Sequence, residues 1–179
     1  FNQKMSPELC NGRRELAGHC SWPKSDHWKA MERLVGFLRK FDDYYFVLRS
    51  PENLVLVTLV DSTHGSCPES RKSIGGQLHT LGGSIIEFTS KKLTGMTLSS
   101  TESELVVYSE GTQTVRFSQQ LLEEITGASI KAVIFEDNQG CIFIIKNHSG
   151  GGRTRHVETR HLYGREMYLQ KYVIPYYVR

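Results

Sequence analysis

Apolar positions at two different periods divide the chain into a helical segment and a domain that contains strands. Between residues 24 and 41 the apolar side chains recur at spacings of three and four, which predicts an amphipathic helix. We expect Trp28, Phe37 and Phe41 to pack in the core or against the sheet that follows. From residue 53 onward, short apolar runs bounded by turn residues indicate strands. A short strand is also predicted before this point, at 44–49, and the strands predicted after it are 54–60, 75–81 and 85–89.

The second half of the chain alternates helices with strands. A helix over 100–125 is predicted by its apolar face and by two overlapping capping boxes, Ser99-x-x-Glu102 and Thr101-x-x-Glu104. The further predicted elements are a strand at 132–135, helices at 139–146 and 156–170, and a strand at 172–178. This order predicts an α/β fold in which helices flank one mixed sheet.

Net charge becomes informative only when it is divided along the chain. The 22 basic and 19 acidic side chains leave a formal charge of +3. Residues 61–139 hold six basic and ten acidic side chains, for −4, whereas residues 140–179 hold seven and two, for +5. An acidic middle beside a basic tail fits a cation site next to a phosphate-binding surface, and chance clustering of solvated charges fits equally well.

Composition excludes several classes of protein. The longest apolar run is too short to span a bilayer, so we expect no membrane partner. The chain begins at Phe1 without a signal peptide, which favours an intracellular piece of a longer polypeptide. The four cysteines form no C-x-x-C pair, so we expect reduced thiols rather than a zinc site.

Two predicted strands end on an aspartate, and a glutamate lies at the start of the helix between them. Asp61 follows the first of these strands, Asp137 follows the second, and Glu104 lies on the helix. Since neighbouring strand ends meet at one edge of an α/β sheet, these carboxylates are expected to converge. Oxygen ligands at that density repel one another without cations and favour Mg²⁺ or Mn²⁺. Each acid taken alone could equally be a turn or capping residue.

The motifs around these acids resemble the ribonuclease H domain of copia-type retrotransposon polyproteins. One continuous stretch is similar to that family's LGG…SKK…LSSTEAEY pattern, and a second is similar to its CDNQ. The resemblance covers nearly the whole chain. The matching segments are HWKAMERL (27–34), VDS (60–62), RKS (71–73), LGG (81–83), SKK (90–92), LSSTESE (98–104), EDNQ (136–139), RTRHVE (153–158) and RE (165–166).

The resemblance implies a fold, an activity and a set of metal ligands. The fold would be the ribonuclease H-like three-layer fold, with a mixed five-stranded sheet flanked by helices and an N-terminal helical extension. The activity would be hydrolysis of the RNA strand of RNA–DNA hybrids by a two-metal-ion mechanism, leaving 5′-phosphate and 3′-hydroxyl ends. Asp61 would bridge two Mg²⁺ ions, for which Mn²⁺ could substitute, while Glu104 would bind one ion and Asp137 the other. Glu158 would be the fourth catalytic and metal-binding acid.

The resemblance also implies contacts with nucleic acid and a division of the chain. Either His156 or His148 could assist proton transfer or product release, with an inert surface histidine as the alternative. Residues 1–50 would be a connection-like extension and residues 51–179 the ribonuclease H domain. We expect a monomer as an isolated fragment and fusion to a reverse transcriptase in the full polyprotein. The side chains expected to contact the RNA–DNA hybrid are Ser62, Asn138, Gln139, Arg153, Arg155 and Arg160, with helix capping an equal alternative for Asn138 and Gln139.

Two other functions stay open on sequence grounds. Thr63 and His64 stand where the family has an acid and an aromatic residue, and Glu158 stands where it has Asp. The extra methylene of Glu158 displaces the carboxylate by roughly 1.5 Å. The chain could therefore be a catalytically weakened module that binds nucleic acid or a partner without cutting. A DNA nuclease or integrase of the same fold would suit the acids but not the surrounding motifs.

Overall fold

The computed structural model describes residues 6–41, 47–51, 53–67, 69–147 and 162–179. A short 3₁₀ helix, Pro7–Leu9, opens the described chain. Within these ranges no helix is long and apolar enough to cross a membrane. The helices are α1 (Cys10–Gly18), α2 (Ser25–Lys40), α3 (Ser100–Thr126), α4 (Gln139–Lys146) and α5 (Tyr163–Leu169), and the strands are β1 (Val55–Thr63), β2 (Ile74–Leu81), β3 (Ser84–Lys92), β4 (Lys131–Glu136) and β5 (Ile174–Tyr177).

The strands form one mixed sheet in the order β3-β2-β1-β4-β5. β1, β2 and β3 are an antiparallel meander, whereas β4 runs parallel to both β1 and β5. Side chains alternate along the central strand β1, so that Leu56, Thr58 and Val60 are buried while Leu59 and Asp61 are exposed on the other face. A mixed five-stranded sheet flanked by helices confirms the predicted fold class.

Helix α3 supplies much of the core on one face of the sheet. Leu105 and Tyr108 are fully buried, which stabilises the fold by roughly 1.5–3 kcal/mol for a side chain of this size. Gly111 allows close approach of the helix to β1, because a Cβ there would lie 2.8 Å from Cγ1 of Val60. The helix ends at Gly127, whose φ of 66° is the left-handed conformation that glycine adopts at this position.

Helix α1 lies on the opposite face of the sheet, next to β3. The hydroxyl of Ser90 donates to Oδ1 of Asn11 at 2.9 Å and accepts from Arg14 Nη1 at 2.5 Å. Helix α2 packs on α1 rather than on the sheet, and the His19 and His27 rings stack with centroids 3.9 Å apart. The sequence pattern did not predict α1, which places a layer of helix between α2 and the strands.

The structure corrects two predictions for the extension. Residues 47–49 form no strand, and Arg49 N donates to the Ser84 hydroxyl instead of to a strand neighbour; residues 44–46 lie outside the described ranges. Trp28, Phe37 and Phe41 do not pack in the core or on the sheet, since their exposed fractions are 67%, 42% and 42%. Helix α1 contacts both β3 and α2, so that α2 packs on α1 instead.

Near the C-terminus, the last strand is shorter than the predicted 172–178, since β5 covers only Ile174–Tyr177. Helix α5 begins at Tyr163, and residues 156–161 of the predicted helix lie outside the described part. The last strand, β5, is an edge strand that contains Pro175, which has no backbone N–H to donate. All four cysteines are free thiols, as expected, and Cys20 is exposed.

Candidate metal centre

The parallel pairing of β1 with β4 brings Asp61 and Asp137 to the same edge of the sheet. Leu59 pairs with Phe135, and each aspartate lies two residues beyond its member of that pair. Glu104 approaches from α3, one turn after the helix begins. One carboxylate oxygen from each of these three residues lies within 4.8 Å of the other two. The predicted convergence of the acids is therefore observed.

Two glutamates near the start of α3 have different surroundings. The Ser99 hydroxyl accepts from Glu102 N at 3.1 Å, and Glu102 Oε2 accepts from Leu98 N at 2.6 Å. Glu102 therefore takes part in capping the N-terminus of α3. Thr101 does not cap the helix and donates instead to Asn138 Oδ1 at 3.5 Å. Glu104 turns inward and is 4% exposed. The helix register thus assigns Glu102 to the cap and Glu104 to the acidic cluster.

The buried position of Glu104 makes its charged form costly. Its pKa is raised from 4.5 to about 7, first by burial and also by the charges of Asp61 and Asp137, while hydrogen bonds from Ser62 oppose the shift. Its Oε2 atom has no hydrogen-bond partner among the described residues. A buried, unpartnered carboxylate oxygen beside two further carboxylates fits a divalent cation, because the cation would supply the missing charge and the missing contact.

A fourth carboxylate, Glu136, lies behind the cluster and was not among the predicted site residues. It is fully buried; its Oε1 accepts from Asn138 N at 2.9 Å, and its Oε2 finds no partner in the described part of the chain. Burial raises its pKa to about 8, with the charge of Glu104 as the next cause. The sequence did contain a signal for the burial of Glu136: side chains alternate between the two faces of β4, and Glu136 shares the buried face with Ala132 and Ile134.

The other predicted site residues fall into two groups. Ser62 donates to the Ser103 hydroxyl at 2.8 Å and joins β1 to α3 behind the acids. Asn138 is the N-cap of α4, and its Oδ1 accepts from Cys141 N at 3.0 Å, while Gln139 is exposed next to it. The rest, Glu158, His156, His148, Arg153, Arg155 and Arg160, lie outside the described residues.

Comparison with known proteins identifies relatives of the chain. No protein-family model matches the chain. The Pol polyprotein of transposon TNT 1-94 from Nicotiana tabacum is 29% identical over 163 residues, which cover 90% of this chain. Secreted RxLR effector protein 161 from Plasmopara viticola is 33% identical over 107 residues, which cover 60% of this chain and 75% of the effector. The chain is a homologue of copia-type Pol polyproteins from plant transposons.

This copia-type chain spans only 12% and 10% of the length of two Pol polyproteins that it matches, those of TNT 1-94 and of RE2 from Arabidopsis thaliana. Among solved structures, ribonuclease H1 from Halobacterium salinarum has a TM-score of 0.49 at 11% identity, covering 69% of this chain and 85% of that one. A likeness at this level carries no information on activity. The similarity to Pol polyproteins and the cluster of three acids are the two findings on which the proposed function rests.

Proposed function

We propose that the chain hydrolyses the RNA strand of RNA–DNA hybrids with two divalent cations, Mg²⁺ or in its place Mn²⁺, leaving 5′-phosphate and 3′-hydroxyl ends. The observation that carries the proposal is the convergence of Asp61, Glu104 and Asp137 within 4.8 Å of one another in a chain of this family. A cluster of carboxylates with an unpartnered buried oxygen is costly for the fold without a ligand. Cation binding would remove this cost.

Each acid would have a separate role. Asp61 would contact both cations, Glu104 one and Asp137 the other, with Glu158 as a fourth ligand. When bound, the cations supply a nucleophilic water at neutral pH and stabilise charge on the departing oxygen. Glu104 must release its proton before it can act as a ligand, since burial holds its pKa near 7. Ser62 and Ser103 hold the β1 and α3 sides of the site together.

Nucleic-acid contacts complete the proposal. Ser62, Asn138, Gln139 and the arginines 153, 155 and 160 would contact the hybrid, and His156 would assist proton transfer or product release. In the structure Asn138 caps α4, so any contact that it makes with nucleic acid would come in addition to that cap. In the complete polyprotein, the chain would act beside a reverse transcriptase.

Cleavage of labelled duplexes tests the proposal directly. RNA–DNA hybrid, double-stranded RNA and duplex DNA are each incubated with Mg²⁺, Mn²⁺ or a chelator. We expect RNA to be cut only in the hybrid and only with metal. Asp61→Asn, Asp137→Asn and Glu104→Gln should each abolish cleavage while the fold and hybrid binding persist. Glu102→Gln is the matched control, because Glu102 lies on the same helix but caps its terminus.

Contrary results would separate the alternatives. Full activity of Asp61→Asn would show that the site is wrongly assigned. Binding of hybrid by the unmodified chain without cutting in either metal would favour the weakened, non-cutting module. One observation favours this second candidate. His64 Nδ1 lies 3.2 Å from the Thr97 hydroxyl, so His64 belongs to a hydrogen-bond network of the loops and adds no ligand to the acidic cluster.

A further inference from the structure

A groove of about 860 Å³ connects the candidate metal centre with helix α1. Asp61 lines one end of the groove, and Arg14 and Ser90 line the other. The floor is a row across neighbouring strands, since Asp61 pairs with Gly76 and Gly76 pairs with Ser90. Paired residues point to the same face, and glycine leaves the middle of the row without a side chain. The surface between the acids and α1 is therefore continuous and open.

Arg14 contributes the positive charge at the α1 end of this groove. Its side chain is only 14% exposed, and Nη1 donates to Ser90 Oγ at 2.5 Å and to Asn11 Oδ1 at 3.0 Å. Nη2 donates to Glu15 Oε1 at 2.6 Å, whereas the buried Nε has no partner among the described residues. The guanidinium is thus held in place from one side, and Nη2 becomes available to a ligand in the groove when Glu15 turns away. This arrangement suits a phosphate oxygen, which arginine binds through paired N–H groups.

We propose that Arg14, with the Ser90 hydroxyl, forms a phosphate-binding subsite for the nucleic acid whose scissile bond lies at the acidic cluster, an inference that rests on the proposed function. Ser90 lies two strands from Asp61, or roughly 10 Å at a strand spacing of about 4.8 Å. One strand of a duplex advances about 3.4 Å per nucleotide along its axis. The phosphate bound at Arg14 is accordingly within about three nucleotides of the cleaved one.

Glu15 competes with the phosphate for the same guanidinium. Its side chain is 47% exposed, so the carboxylate can turn to solvent when a phosphate takes its place. The carboxylate weakens the subsite by holding Nη2 and by repelling the phosphate. The two residues therefore make opposite predictions: removal of Arg14 weakens hybrid binding, and removal of the Glu15 charge strengthens it.

The test measures hybrid affinity and its salt dependence in the full chain. Fluorescence anisotropy follows a labelled RNA–DNA hybrid in Mg²⁺, with Asp61→Asn as the background that prevents cleavage. Arg14→Ala should weaken binding about tenfold, which corresponds to one charged hydrogen-bonded contact. It should also reduce the slope of log K against log salt concentration by about one phosphate's share. Glu15→Gln should tighten binding.

Matched variants separate this subsite from a structural role of Arg14. Arg13→Ala removes the same charge from the neighbouring position of α1 and should change neither affinity nor salt slope. Ser90→Ala removes the hydroxyl that joins α1 to β3 but keeps the guanidinium, so it should leave the salt slope unchanged. Equal effects of Arg14→Ala and Arg13→Ala would overturn the proposal, as would a Ser90→Ala variant that reproduces both effects of Arg14→Ala. If the unmodified chain neither binds nor cuts the hybrid, both the proposed function and the subsite are overturned. If the unmodified chain cuts the hybrid but Arg14→Ala binds it with normal affinity, only the subsite is overturned.

Discussion

Replacement of Glu136 by glutamine is expected to flatten the pH dependence of stability in the metal-free protein. In the folded chain the pKa of Glu136 is raised from 4.5 to about 8, first by burial and then by the charge of Glu104. Between these two pH values the folded state keeps a proton that the unfolded state releases. The protonated Glu136 therefore contributes its full stabilisation of the fold below about pH 4.5, and this stabilisation is lost as the pH rises through about 8.

The magnitude follows from the two pKa values of Glu136. Each pH unit in this window costs about 1.4 kcal/mol for one proton, so the full window from 4.5 to about 8 costs roughly 5 kcal/mol. His79 acts with the opposite sign below pH 6.5, because burial lowers its pKa from 6.5 to about 4 and its contribution is lost as the pH falls. Glu104 titrates near pH 7. Above neutrality Cys67 contributes with the sign opposite to Glu136, because hydrogen bonds from Ser70 lower its pKa from 9.0 to about 7. Cys67 is present in both proteins, so the difference in slope between the unmodified chain and Glu136→Gln, measured from neutrality up to about pH 8, isolates Glu136.

Urea unfolding in the presence of a chelator measures this effect. Over that range the unfolding free energy should fall by up to about 1.4 kcal/mol per pH unit more in the unmodified chain than in Glu136→Gln. Glutamine keeps the Oε1 acceptor for Asn138 N, while its unpartnered amide lowers stability by about 1–3 kcal/mol at every pH. The change of unfolding free energy with pH therefore tests the prediction, whereas a constant difference in unfolding free energy between the two proteins does not. Glu102→Gln is the control, and a Glu136→Gln slope equal to that of the unmodified chain would refute the reasoning.

Two further predictions concern the same edge of the sheet. The Mg²⁺ affinity, measured by calorimetry, should rise as the pH increases toward about 7, because the cation displaces the proton of Glu104; a constant affinity below that pH would contradict the assignment of Glu104 as a ligand. Asn138→Ala should lower the free energy of unfolding by about 1 kcal/mol, because it removes the cap that accepts from Cys141 N. Gln139→Ala, at the exposed neighbouring position, should have almost no effect in the same urea titration, and equal losses in the two variants would show that the cap contributes nothing.

Local patterns in the sequence were sufficient for the sheet and for the candidate acids. The β-branched run before Asp61 and the apolar run before Asp137 predicted two neighbouring strands of the sheet. Such runs are typical of strands covered on both faces, but in the structure only one face of β1 is fully buried and Leu59 is exposed on the other. The glycine at position 127 marked the end of α3, since its φ of 66° is strained for other residues. These signals lie within a few residues of the features that they predict, and so they can be recognised without the fold.

Only the tertiary structure separated residues with the same local pattern. Glu102 and Glu104 both fitted a capping box, and the burial of one face of α3 against the sheet decided that Glu102 caps the helix while Glu104 faces the aspartates. Burial likewise turned Glu136 into an acid with a raised pKa. The contact of Arg14 with Ser90 joins residues 76 positions apart. The sequence by itself thus determined which residues could form strands, helices and an acidic edge, whereas packing between distant segments decided which side chains lose water, because desolvation depends on neighbours in space rather than on neighbours along the chain.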